Sequence, residues 1–320
     1  MEPSVSLYSR KVLIEQNSPN ILPEWMRFIK GVVDSEDLPL SVSREKAQDS
    51  ALIGKLRKAL TRKFINHLTT MARKNPEKYK EEFYKEYSFF LKEGICHDFE
   101  FQEPLSKLLY FETSKTMSGE ITSLDEYISR CAPDQKNIYY LCAPSRALAI
   151  QSPYLETFEK NGVEVILVYS PIDDFVMSNI GKFQGRELIS AEKGDINLDK
   201  SNDEKDKSDD SETDSSTSLT DKEAAEFCAW FQLTLDGKVS KCKVTSRLSS
   251  SPAVVTDNES GALRRMMRMV ETQDGQEGME LPKQQVEINP DHPMIKGLFE
   301  IREKEPALAK VCAEQIFDSK

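Results

Sequence analysis

Apolar residues fall in short runs over residues 7–42: Val12-Leu13-Ile14, Trp25-Met26, Phe28-Ile29 and Val32-Val33. YSRKVLI reads as a strand. Pro23 stands where a missing N–H is tolerated, at the opening of a short helix. The segment predicts part of an α/β layer, too short to bury both faces of a sheet, so partner strands are expected outside this sequence. The spacing then changes. Leu52, Leu56, Leu60, Phe64 and Leu68 recur every four residues and predict a long amphipathic helix, with Ser43 as N-cap, Glu45 in the first turn and Asn75-Pro76 at its end. Tyr79, Phe83, Tyr87 and Phe90 place an aromatic stripe on a second helix that stops at Gly94, read as helix–helix core. Leu105, Leu108 and Leu109 suggest a third, shorter helix.

From Asn137 the pattern becomes that of buried strands. Ile138 to Cys142 and Val163 to Tyr169 flank a helix over Ser152 to Asn161 that Gly162 stops, a compact βαβ unit whose strands should be parallel. Asp173 to Gly181 and Glu187 to Ala191 add a helix and a strand. The turn after the first strand, Ala143-Pro144-Ser145-Arg146, lacks the glycine fingerprint of dinucleotide binding. Past residue 219, Thr220 caps a helix ending at Gly237, and strands follow over Val239 to Leu248 and Pro252 to Thr256. Ala262 to Val270 predicts a helix mixing three methionines with three arginines. A short strand and turn at Val286 to Pro290 precede a helical hairpin over His292 to Lys304 and Pro306 to Lys320.

Composition narrows the function classes. The 320 residues are 38% hydrophobic and 30% charged, with a formal net charge of −11. That balance argues against nucleic acid as the main partner, since binding phosphates rewards clustered Lys and Arg. No apolar run is long enough to span a bilayer. Six scattered cysteines without a CxxC pair read as reduced, buried thiols. His67, His97 and His292 have no metal partner at ligand spacing. The N-terminus shows neither signal nor transit peptide. Asp199 to Asp214 holds eight acids against three lysines, with no hydrophobe from Leu198 until Leu219. Such a tract cannot offset its ordering entropy by burial and reads as a linker, or alternatively as an acidic docking segment.

Six ordered blocks carry a resemblance: YSRKVLI, FIKGVVDSEDLPLSVSRE, SALIGKLRKAL, NIYYLCAPSRALAIQSPYLE, RLSSSPAVVT and VEINPDHPMIKGL. Together they resemble the middle and C-terminal portion of the heat-shock protein 90 chaperones. NIYYLCAP and the Ile121 to Tyr127 segment are most similar to the family's mitochondrial 75-kDa branch. The resemblance implies an α/β (α+β) multidomain fold. Its expected parts are a partial αβα middle domain with the catalytic loop (1–50), a helical segment (51–130), a small βαβ subdomain (131–195), an acidic disordered linker (196–219) and an α+β C-terminal domain ending in a truncated helical hairpin (220–320).

The family's activity follows by the same route. The resemblance implies an ATP-dependent chaperone that binds unfolded or partly folded client proteins, acts as a homodimer and, in this branch, resides in mitochondria. ATP with Mg is expected in a preceding N-terminal domain. Arg44 is expected to contact its γ-phosphate, with Gln48 one turn on as the second catalytic residue. A guanidinium there stabilises charge on the transferring phosphoryl group. Met266, Met267 and Met269 are candidate client contacts, because thioethers repack against varied partners; ordinary core methionines are the alternative. Trp230 reads as core. With the nucleotide domain and the last helices expected to lie outside this sequence, independent ATP turnover and dimerisation are not expected of this chain alone. Two other classes stay open: an ATP-independent holdase or adaptor that binds a partner through its acidic tract, and a small-molecule enzyme on the βαβ unit, for which no nucleophile–base pair speaks.

Overall fold

The structure, a computed structural model, describes residues 2, 4–36, 50–194, 196, 198, 219–256 and 283–318. In chain order the described strands are β1 Ser4–Ser9, β2 Val12–Glu15, β3 Lys30–Asp34, β4 Tyr110–Thr113, β5 Thr122–Ser123, β6 Asn137–Cys142, β7 Ile166–Val168, β8 Lys182–Phe183, β9 Arg186–Ser190, β10 Val239–Val244, β11 Ala253–Thr256 and β12 Gln284–Ile288. The fold is mixed α/β and divides into two compact units. The first comprises residues 1–110, 122–129 and 175–185; the second comprises 111–121, 130–174 and 186–320.

In the first unit, YSRKVLI is not one strand. β1 turns at Arg10-Lys11 and returns as antiparallel β2, and both turn residues have positive φ (49° and 64°). A two-residue turn of this hand matches the twist of paired strands, and it usually recruits Asn-Gly. The Arg-Lys pair hides that signal. β3 adds to the other side of β1 in parallel, giving the order β2-β1-β3. Val5 and Leu7 of β1 meet Ile21 and the helix residue Ile53 in a small core.

The long helix runs Ser50–Lys74, with Arg73 and Lys74 at its negative end. Its most buried residues are Ile53, Thr61, Ile65 and Leu68, whereas Leu52, Leu56, Leu60 and Phe64 are half-buried. The predicted line therefore lies partly on the flank of the buried face. An i+4 series drifts around the helix because four residues overshoot one turn. Thr61 enters the core because its hydroxyl donates to the Arg57 carbonyl at 2.8 Å.

The aromatic stripe packs ring against ring, but only Tyr79 is fully buried; Phe83, Tyr87 and Phe90 are half-buried. Phe28 is its hub, with ring centroids 5.9 Å from Phe64, 4.9 Å from Tyr87 and 4.8 Å from Phe90. Such pairs each contribute about 0.5–1.5 kcal/mol beyond area burial. Residues Tyr79–Tyr84 form a π-helical turn before the helix Lys85–His97, which brings both Tyr79 and Tyr84 inward. The Tyr79 hydroxyl donates to the Leu108 carbonyl, and the Tyr84 hydroxyl bridges the carbonyl and N–H of Tyr110. Gly94 does not end this helix. It sits inside it because a Cβ there would meet the Trp25 ring and Leu105 at 2.9 Å. The third helix is short, Gln102–Ser106, and the chain then enters β4.

In the second unit, β6 pairs in parallel with both β7 and β9, and β4 pairs antiparallel with β7. The predicted βαβ unit is present. Its connection holds a helix the apolar spacing did not reveal, Arg146–Ile150, N-capped by Ser145. Further along, Thr220 and Glu223 form a capping box on the helix Asp221–Thr234. A second sheet, β10-β12-β11, packs with this helix and with the hairpin Pro293–Lys304 and Pro306–Asp318 around Phe227, Phe231, Ile288, Ile295 and Ala313. Trp230 packs half-buried against this core. The cysteines are all free thiols, but only Cys142 is fully buried; the other five are half-buried, so the expectation of uniformly buried thiols fails.

Candidate functional site

Arg44 and Gln48 fall within residues 37–49, outside the described residues, and so do Met266, Met267 and Met269 within 257–282. The structure shows what holds the ends of the first segment. At its start, the Asp34 carboxylate accepts the Lys11 N–H at 3.1 Å, and the Ser35 N–H donates to the Tyr8 carbonyl at 3.0 Å. The β1–β2 turn, with its two positive φ values, thus clamps the end of β3. At the other end, Leu52, Ile53 and Leu56 dock the first turns of the long helix on Val5, Leu7 and Ile21. Val33 of β3 packs against the same small core.

Beside these anchors runs a groove of about 810 Å³. Leu22, Met26, Ile29, Val32, Val33, Leu60 and Phe64 line its apolar wall, with Lys30, Lys63, Asn66 and His67 at its polar rim. Val32, at 69% exposure, is among the most exposed large hydrophobics described. Groups of this kind can accommodate an apolar segment; they offer no acid–base pair. Among the described residues no cluster of His, Cys, Asp or Glu could hold a metal ion.

The other blocks of family wording meet at a polar junction inside the second unit. Arg247, 8% exposed, donates to the carbonyls of Ala191 (2.9 Å) and Lys193 (3.1 Å) and lies 3.9 Å from Glu287. The Glu156 carboxylate accepts the N–H groups of Ser249 (2.5 Å) and Ser250 (3.0 Å) and the hydroxyls of Ser250 and Ser251. Burial pushes this carboxyl up, but the bonds from Ser251, Ser249 and Ser250 outweigh it and hold its pKa below the usual range. Tyr154 donates to the Val255 carbonyl, and Asn289 reaches the carbonyls of Ser249 and Ser251. His292 caps the next helix by accepting the Met294 N–H on Nδ1. RLSSSP and EINPDHP are therefore the two halves of one joint between the βαβ lobe and the C-terminal lobe. Sequence reasoning quoted these motifs without finding this role. A buried-type Arg beside three serines was the available signal.

Two further carboxylates brace the βαβ lobe. Glu164 is held bidentately by Arg130 and by the Thr113 hydroxyl. Glu112 accepts from Tyr169 (2.5 Å), Gly119 (2.8 Å) and Arg146 (2.9 Å). In both, burial raises the pKa and these partners more than reverse it. The phenol of Tyr169 is pushed well above its ordinary value by burial and by the Glu112 carboxylate. These are satisfied structural pairs. No helix among the described residues is long and apolar enough to cross a membrane.

The sequence matches the family described as Hsp90 protein over residues 1–320. It is 42% identical to the TNF receptor-associated protein 1 homolog, mitochondrial, of Dictyostelium discoideum, covering 100% of this chain and 44% of that protein. It is 42% identical to heat shock protein 75 kDa, mitochondrial, of Rattus norvegicus (99% and 44%), and 39% identical to chaperone protein HtpG of Desulfotalea psychrophila (100% and 51%). The chain spans about half the length of the curated relatives it matches. It belongs to the Hsp90 family.

Proposed function

We propose that this chain forms the middle and C-terminal portion of an ATP-dependent chaperone that binds unfolded or partly folded client proteins. The observation that carries the reading is the family match over all 320 residues, at about 40% identity to proteins named as chaperones and heat shock proteins. ATP, with Mg²⁺, is held by a separate nucleotide-binding domain. Arg44 reaches the γ-phosphate, and Gln48 hydrogen-bonds the phosphate or the attacking water. The support in this chain is that Val33 and Ile53, which flank residues 37–49, pack on one small core, with Asp34 on the Lys11 N–H. The methionines at 266, 267 and 269 serve client contact. The mitochondrial names of two relatives support a mitochondrial location.

The test separates binding from turnover. The purified 320-residue chain should suppress aggregation of a heat-unfolded client without ATP, and no suppression at excess chain overturns the reading. In a longer chain that also carries the nucleotide-binding domain, Arg44→Ala should abolish most turnover while nucleotide still binds. The homodimer belongs to the same reading as a property of the longer protein rather than of this chain alone. Leu308 and Val311, exposed on the helix Pro306–Asp318, supply apolar surface for it, and sedimentation velocity measures whether two copies associate.

A further inference from the structure

Cys228 lies on the helix Asp221–Thr234, between the core residues Phe227 and Phe231. The chain turns after this helix and returns as β10, which carries Cys242. Both cysteines are half-buried, and both pack against the same C-terminal core. Helix and strand pack on the same core, which makes the two thiols neighbours. Of the other cysteines, Cys312 packs against the same core, whereas Cys96 accepts from Asn179, Cys142 donates to the Ser170 carbonyl, and Cys131 lies beside Arg186. Two thiols on consecutive elements, in contact and reachable from solvent, form the arrangement that oxidative chemistry requires.

We propose that Cys228 and Cys242 form a dithiol that small hydroperoxides oxidise to a disulfide, cross-linking the helix Asp221–Thr234 to β10. Both are half-buried, so either can react first. One thiolate attacks the outer oxygen of the hydroperoxide, the O–O bond breaks, and hydrogen peroxide leaves one water and a sulfenic acid on that cysteine. The other sulfur then attacks the oxidised sulfur, the S–O bond breaks, and a second water carries off the hydroxyl. Two thiols lose two electrons and two protons; the peroxide gains both. The resulting bridge closes residues 229–241 into a loop and pins the strand to the helix that buries Phe227 and Phe231.

The experiment uses the reduced 320-residue chain, treated with hydrogen peroxide, alkylated and mapped by mass spectrometry. The expected result is a Cys228–Cys242 cross-linked peptide, with the other cysteines alkylated and the link lost on adding dithiothreitol. Cys242→Ser and Cys228→Ala should each abolish the link and leave the remaining cysteine of the pair as a sulfenic acid that dimedone captures. The thermal midpoint of the wild-type chain should rise by several degrees on oxidation. Full alkylation of both cysteines after peroxide, or links joining Cys228 to other cysteines, overturns the proposal. That mapping of the wild-type chain decides the question even if a variant fails to fold.

Discussion

The residues that flank 37–49, and the joint between the two lobes of the second unit, both lie in family wording, and their described contacts differ in kind. At the first, the described contacts hold the ends: Asp34 on the Lys11 N–H and Ile53 in the small core. At the second, the motif residues bond to one another. Arg247, Glu156, Ser249, Ser250, Ser251 and Asn289 leave few polar groups without a partner. Family wording can thus recur for two physical reasons. A buried polar network tolerates no change because one lost partner leaves another charge unpaired. In the proposed function, Arg44 is kept instead for what it touches, a phosphate.

The sharpest way to break this comparison is to mutate one residue of each kind and read both activity and stability. In a chain that carries the nucleotide-binding domain, Arg44→Ala should lower ATP turnover by about 10³-fold, or ~4 kcal/mol. Its urea midpoint should stay within about 0.5 kcal/mol of wild type, as for a surface change. Arg247→Met should do the reverse, costing about 3–5 kcal/mol of stability because Glu287 and two carbonyls lose a buried partner. Stability lost by Arg44→Ala, or kept by Arg247→Met, would erase the distinction.

A smaller change sharpens the same contrast. Glu156→Gln keeps the shape of the side chain but replaces one acceptor oxygen by a donor, opposite N–H and O–H groups that already donate. A loss of roughly 1–2 kcal/mol is expected in denaturant unfolding. Restoring a carboxylate as Asp would not recover it, since the shorter side chain cannot span from residue 156 to Ser249 and Ser251 together. A neutral Glu156→Gln would mean that water replaces these bonds.

Much of this architecture was readable in the sequence, and the failures have particular causes. Helix periodicity located the long helix, the aromatic stripe and the terminal hairpin, because their apolar faces repeat over several turns. The β1–β2 hairpin was not readable, since Arg10 and Lys11 occupy positive φ without the Gly or Asn that normally marks such a turn. Gly94 looked like a helix stop but is a close-packing position under Trp25, which only the third dimension reveals. The proposed role of Arg44 came from family wording alone. The joint was invisible for another reason: Glu156 and Ser249 stand far apart in sequence, so no local pattern links them.

Acid should act on the two regions unequally, and this is the smallest of the expected effects. Glu156, Glu164 and Glu112 all have carboxyl pKa values below the ordinary 4.5, and all three lie in the second unit. A folded-state pKa below the unfolded one means that the unfolded chain binds the proton first as pH drops. The stability these groups contribute is therefore complete above the ordinary carboxylate value. It is lost progressively as pH falls from there through their lowered values. In the first unit, Glu126 alone has a carboxyl held low in this way among the described residues, by Ser123 and Thr122 against the effect of burial. Hydrogen exchange followed from pH 6 to pH 3 should show amides of β6, β7 and β11 losing protection before those of β1 and the long helix. Glu164→Gln should flatten that acid limb while lowering stability at neutral pH, because the Arg130 guanidinium then faces a neutral amide at every pH. If β1 opened first, the carboxylate bonds of the second unit would not be what separates the two regions in acid.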